Sequence, residues 1–152
     1  MMTTPYILVV EDDHLQDEPL SEHLREEFPG VRVLSIRTEL EFRNRLQDLR
    51  ADRPDVAIMD VMLRWALPSP DMQPPPQQVA DEGFYRAGLR CAELLAADPR
   101  LRVVPVIFYT ILERSDLEQD GVRLPSDSVY VRKSPDMDFL ARKVRERLAR
   151  RG

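Results

Sequence analysis

The chain has 152 residues, enough for one domain with a sizeable core, and 43% of them are hydrophobic, which excludes a disordered polymer. Lysine and arginine number 22 against 27 aspartates and glutamates, a formal charge of −5, with no long run of either sign in the first 140 residues; that excludes a general nucleic-acid binder. Cys91 is the only cysteine, so neither an internal disulfide nor a cysteine-rich zinc site can form, and a reducing compartment is the simplest reading. Met1-Met2-Thr3-Thr4-Pro5 runs straight into a strand-like segment without a basic and apolar leader. No apolar stretch approaches the roughly 20 residues needed to span a bilayer. A soluble, cytoplasmic protein without membrane contact is expected.

Tyr6-Ile7-Leu8-Val9-Val10 is an apolar run of the kind buried on both faces of a parallel sheet, and it ends in Glu11-Asp12-Asp13. One acid would serve to cap a helix; three together suggest a bound cation. Leu20, Leu24 and Phe28 recur every four residues, and Pro19 is tolerated only in a first turn, so the spacing predicts a helix from about Glu18, capped by Asp17 and stopped by Pro29-Gly30. Residues 31–36 alternate with Arg32 and Ser35 and read as an exposed edge strand. Thr38 and Glu41 form a capping box ahead of Phe42, Leu46 and Leu49 on one helical face.

Val56-Ala57-Ile58-Met59-Asp60 organises the chain: a strand buried on both faces that ends abruptly in a carboxylate. Ligands bind at the carboxyl ends of strands in open parallel sheets, which places Asp60 for chemistry; the plain alternative is an acid capping the next turn. Residues 64–82 differ in kind. Pro68, Pro70 and Pro74-Pro75-Pro76, followed by Gln77 and Gln78, predict an extended, partly polyproline loop, either a recognition ligand or an insertion without a partner. Helix resumes by Gly88–Leu95, with an earlier start at Gly83-Phe84-Tyr85 left open, and stops at Asp98-Pro99. Residues 103–110 read as the next buried strand, with Pro105 near its start. Ser115 to Leu124 has weak helical character, broken by Gly121 and closed by Pro125. Val129-Tyr130-Val131-Arg132-Lys133 is the last strand. A final helix follows, with Met137, Leu140, Val144 and Leu148 as its buried stripe and arginines and Lys143 on its solvated face. Five strands alternating with about five helices predict an α/β fold with a doubly wound parallel sheet.

The strand ends bring Glu11 and Asp12, Asp60, Thr110 and Lys133 to one edge. Mg²⁺ takes oxygen ligands and only one or two direct carboxylates, which Asp12 and Asp60 can supply, with Glu11 acting through water. With the acids' repulsion offset, Asp60 can act as a nucleophile on phosphorus, and Lys133 and the Thr110 hydroxyl can meet charge on the phosphoryl oxygens.

Four pieces in this order, Ile7-Leu8-Val9-Val10-Glu11-Asp12-Asp13, Val56 through Leu63, Pro105 through Thr110, and Tyr130-Val131-Arg132-Lys133-Ser134-Pro135, make the sequence resemble the receiver domains of two-component response regulators. The likeness spans nearly all of the chain except the Pro-rich insertion after the third strand, and implies one receiver domain over residues 1–152 with the loop 64–82 inside it. It implies a flavodoxin-like fold with strand order 2-1-3-4-5. It also implies that Asp60 is the phosphoacceptor, that Glu11 and Asp12 with Asp60 and the Met62 backbone carbonyl hold Mg²⁺, that Thr110 is the switch hydroxyl, that Lys133 binds the phosphoryl group, and that Tyr130 is the switch aromatic. Tyr130 also reads as an ordinary strand aromatic. The expected function is phosphorelay signal transduction through an aspartyl phosphate, not enzymatic turnover beyond the domain's own phosphorylation and dephosphorylation. The implied partners are a sensor histidine kinase or phosphotransfer protein and a downstream protein, with a homodimer through the face of the last strand and helix also compatible.

Three departures from the family pattern stand out. Ile111 follows Thr110 where a small residue is usual, which narrows the approach of a phosphodonor. Met62 and Leu112 are apolar where the family flanks the water that attacks the phosphoaspartate, so a long-lived phosphorylated state is expected. Ser134 separates Lys133 from Pro135 where the family often joins lysine to proline through a cis bond. The sequence has no stretch after Arg151 for an output domain, so a stand-alone receiver is expected. The competing reading is a phosphorylation-independent interaction module that works through the Pro-rich loop. A haloacid-dehalogenase-type aspartyl-phosphate hydrolase fits less well, because Asp60-Val61-Met62 lacks the second acid of that family's motif.

Overall fold

The computed structural model describes residues 4–72, 74–119 and 128–150. Five parallel strands, β1 (Tyr6–Val10), β2 (Arg32–Ile36), β3 (Val56–Met59), β4 (Val106–Thr110) and β5 (Val129–Arg132), form one sheet in the order β2-β1-β3-β4-β5. That is the expected doubly wound, flavodoxin-like arrangement. Every residue of β1 and β3 is buried, as apolar runs without alternation require, whereas β2 lies at the edge and is largely half-exposed.

Side chains alternate across the strands and build two cores. Ile7, Val9, Ile58, Ile107 and Tyr109 face α1 (His14–Glu27) and α7 (Asp138–Ala149), meeting Leu20, Leu24, Leu140 and Val144. Leu8, Val10, Ala57, Met59 and Phe108 face the other way. There they meet α2 (Glu39–Asn44), α3 (Leu46–Ala51), α5 (Ala87–Ala97) and α6 (Arg114–Gln119) through Phe42, Leu49, Cys91, Leu95 and Leu117.

Several boundaries differ from the sequence expectation for identifiable reasons. α1 begins at His14, not near Glu18, because the Asp13 carboxylate accepts from the Leu15 N–H at 2.9 Å and caps the helix one turn early. Pro19 therefore sits inside α1, and Asp17 is no cap: it is buried and accepts from the Ser21 and Ser35 hydroxyls. The helix expected over Phe42, Leu46 and Leu49 is two short helices with a joint at Arg45, although the three residues still share one inward side. α4 (Gln77–Glu82) forms within the stretch read as loop. The three prolines precede its first turn, where no amide donor is needed. A single 3-10 turn, Phe84–Arg86, then leads into α5. β4 starts at Val106, not Val103, since Leu101 to Val104 turn back on Asp98 and Leu101. Gly121 and Pro125 lie outside the described residues. Every described peptide bond is trans, that of Ser134-Pro135 included.

Candidate functional site: the carboxyl edge of the sheet

The register that aligns the strands also aligns their ends. Val10 pairs with Met59, so Glu11 and Asp60 leave the sheet side by side, and the Asp60 N–H donates to the Val10 carbonyl at 2.9 Å. Thr110 pairs with Arg132 at the end of β4 and β5, and the Lys133 N–H donates to the Thr110 carbonyl at 2.8 Å. Residues far apart in sequence thereby reach one edge.

Lys133 is the centre of the cluster. Its ammonium donates to Asp60 Oδ2 at 2.7 Å and to Glu11 Oε1 and Gln16 Oε1, with all but 11% of its side chain covered. Burial pulls its pKa down, but the Asp60 and Glu11 carboxylates more than reverse this, and the net direction is upward. Glu11 is pushed up to about 7, first by burial and then by the Asp60 charge beside it, against the opposing pull of Lys133. Its Oε2 is buried with no hydrogen-bond partner among the described residues.

Asp12 lies one residue further out, half-buried, and its Oδ2 accepts from the Arg64 N–H at 3.1 Å with the Arg64 guanidinium 3.8 Å away. Asp60 Oδ1 accepts from the Met62 N–H at 3.3 Å. Three carboxylates thus share an edge where, among the described residues, Lys133 is the one cation in direct contact with two of them and Glu11 Oε2 has no donor. Such a donor set suits a hard divalent cation, which prefers oxygen ligands and would relieve the charge that raises Glu11.

Thr110 is fully buried, and its hydroxyl oxygen accepts from the Leu112 N–H at 3.3 Å. Ile111 beside it is exposed. Tyr130 pairs with Phe108, two residues back from the edge, and packs partly against the core. Its hydroxyl is buried without a hydrogen-bond partner among the described residues, and desolvation, followed by the charge of Asp116, pushes the phenol up to about 12.

Three participants escape sequence reasoning. Gln16 supplies an oxygen to Lys133 from the first turn of α1, and nothing in its local pattern marks it. Arg64 meets Asp12 through both its N–H and its guanidinium. Gly88, in the first turn of α5, donates its N–H to the Val61 carbonyl at 2.8 Å, and a Cβ there would meet the Asp60 carbonyl oxygen at 2.0 Å. Its lack of a side chain lets α5 close against the segment that holds Asp60.

No family model matches the chain, and no curated protein matches it in sequence. Solved structures do. The signal receiver domain of a signal transduction histidine kinase from Syntrophus aciditrophicus is 26% identical, with a TM-score of 0.66 over 98% of this chain and 95% of that one. The receiver domain of a sensor histidine kinase from Pseudomonas aeruginosa, with a magnesium ion coordinated in its active-site cleft, is 18% identical, with a TM-score of 0.67 over 97% and 99%. A response regulator from Thermotoga maritima in complex with Mg²⁺ and beryllofluoride is 24% identical, with a TM-score of 0.63 over 95% and 100%. The chain thus has the fold of two-component receiver domains.

Proposed function

We propose that this receiver accepts a phosphoryl group on Asp60 from a phosphohistidine donor and signals through protein contact. The observation that carries this reading is the Lys133 ammonium held between the Asp60 and Glu11 carboxylates at the carboxyl edge of the sheet. An Asp60 oxygen attacks phosphorus as the phosphorus–nitrogen bond of the donor breaks, and the imidazole departs with that electron pair and takes up a proton. Lys133 is positioned beside the attacking carboxylate, where its charge can follow the phosphoryl oxygens. Glu11, Asp12, Asp60 and the Met62 carbonyl would hold Mg²⁺, which supplies charge neutralisation at the phosphoryl oxygens when bound.

The new charge of about −1.5 to −2 on Asp60 attracts hydrogen-bond donors. The Thr110 hydroxyl accepts from Leu112 in this state and keeps its own hydrogen for a phosphoryl oxygen. Moving Thr110 changes the space two residues along the strand from the Phe108–Tyr130 pair, and the Tyr130 hydroxyl has no hydrogen-bond partner among the described residues to tether the ring. The whole chain is read as one receiver unit, with residues 64–82 as an insertion in it.

One observation favours the second reading, a phosphorylation-independent interaction module. Leu67 and Met72 in the insertion and the stacked pair Phe84 and Tyr85 just after it are all at least half exposed. Adding beryllofluoride and Mg²⁺ to the full chain and following amide chemical shifts separates the two. Shifts at Thr110, Tyr130 and Lys133 that vanish in Asp60→Ala are expected; unchanged spectra in the wild type would leave only the interaction module.

A further inference from the structure

On the face away from the α2–α5 layer, His23 and Glu27 stand one turn apart on α1, opposite Asp138, the first residue of α7. His23 Nε2 lies 3.9 Å from Glu27 Oε1 and 3.8 Å from Asp138 Oδ1, and the three atoms all fall within 4.8 Å of one another. These separations are too long for hydrogen bonds. Yet His23 Nε2 is buried and has no hydrogen-bond partner among the described residues. A buried imidazole nitrogen left unbonded beside two carboxylate oxygens, one of them on the exposed Asp138 side chain, can take an occupant from that open side, because an unsatisfied buried polar atom is costly.

We propose that His23, Glu27 and Asp138 form a binding site for a divalent transition cation of the zinc type, distinct from the acidic pocket at Asp60. Around a tetrahedral ion at about 2.0–2.1 Å, ligand atoms stand roughly 3.3 Å apart, about half an ångström closer than the two separations from His23, so Glu27 and Asp138 draw inward when the ion binds. Histidine and glutamate at i and i+4 present their ligand atoms to one side of a helix, a spacing that zinc sites exploit. The donor set separates this site from the other one: an imidazole nitrogen suits zinc, cobalt or nickel, whereas Mg²⁺ prefers the all-oxygen pocket. Arg145 donates to Glu27 Oε2 at 2.8 Å, which fixes that carboxylate and leaves Oε1 turned toward His23. Three protein ligands leave a fourth position for water or an outside ligand. A cation there ties α1 to the start of α7, five residues beyond Lys133, and so steadies the segment that brings the lysine to the phosphoacceptor.

Isothermal titration of the full chain with zinc chloride in excess Mg²⁺ tests the site, and the chain's two histidines supply the control. One zinc per chain is expected, with binding retained in His14→Ala and Asp60→Asn and weakened at least roughly tenfold in His23→Gln and Asp138→Asn through loss of a ligand. In the wild type, the His23 imidazole nitrogen resonance should shift on zinc addition while that of His14 stays in place. This second readout does not depend on any variant folding. Absence of zinc binding in excess Mg²⁺, zinc binding untouched by both substitutions, or a shift confined to His14 would each overturn the proposal.

Discussion

Gly88 and Tyr130 show how single side chains set the site's tolerance. At Gly88 a methyl group would sit 2.0 Å from the Asp60 carbonyl oxygen and 2.8 Å from the Val61 Cα, and both obstacles are backbone. Gly88→Ala must therefore push α5 away from the end of β3, at a cost of about 3 kcal/mol or somewhat more for an overpacked contact of this severity. Chemical denaturation should show that loss, together with slower phosphorylation of Asp60; a change below about 1 kcal/mol would mean the helix can shift freely. Tyr130 works in the opposite direction. Its hydroxyl is buried without a hydrogen-bond partner among the described residues, so Tyr130→Phe is expected to leave stability at neutral pH unchanged or slightly improved. The phenol is pushed up to about 12 in the folded chain from an ordinary 10, mainly by burial. The folded state thus holds this proton more tightly than the unfolded one. Its contribution is fully present below pH 10 and is lost as the pH rises to about 12. Tyr130→Phe should lose less stability than the wild type across that window in parallel denaturant titrations; identical curves would place the hydroxyl in water.

The elements around the insertion are held by a buried ion pair that no local pattern announces. Arg90 on α5 donates to both oxygens of Glu39 on α2, at 2.7 Å for the shortest, and to Glu82 and the Gly83 carbonyl at the end of α4. Glu39 is fully buried, and its N–H and that of Leu40 take the Arg64 and Trp65 carbonyls. Both ends of the Pro-rich segment are therefore fastened near one carboxylate. Among the described residues, Arg90→Leu leaves Glu39 with Arg43 alone for charge and is expected to cost roughly 3–5 kcal/mol. The double variant Arg90→Leu with Glu39→Leu should recover much of that loss, which thermal unfolding can read; no recovery would mean that Arg90 acts through packing alone. The strands were legible because short β-branched apolar runs such as Tyr6–Val10 and Val56–Met59, bounded by polar residues, suit buried strands, and their convergence on one edge was legible because each run ends in a chemically distinct residue. α1 was misplaced because Asp13 and Asp17 are equally good caps by type, and Pro19 argues for the later start. α4 was hidden by the prolines before it, and the Glu39–Arg90 pair by a separation of 51 residues.

Across the whole molecule, the parallel sheet brings β1, β3, β4 and β5 to one edge and gives Asp60 a lysine, two further acids and a hydroxyl within a short span of the fold. Two half-buried apolar residues, Met62 and Leu112, accompany this polar group. Neither can orient a water by hydrogen bonding, so the phosphorylated form should persist for minutes or longer in Mg²⁺, and Met62→Gln should shorten its lifetime. Complete loss of phosphate from the wild type within seconds would contradict that assignment. Everything proposed for this edge turns on Asp60 being the phosphoacceptor. Intact-mass and peptide mass spectrometry after incubation with acetyl phosphate and Mg²⁺ tests it most directly. One added phosphoryl group is expected, located on Asp60 and absent from Asp60→Ala; an added phosphoryl mass that survives this substitution would move the acceptor elsewhere.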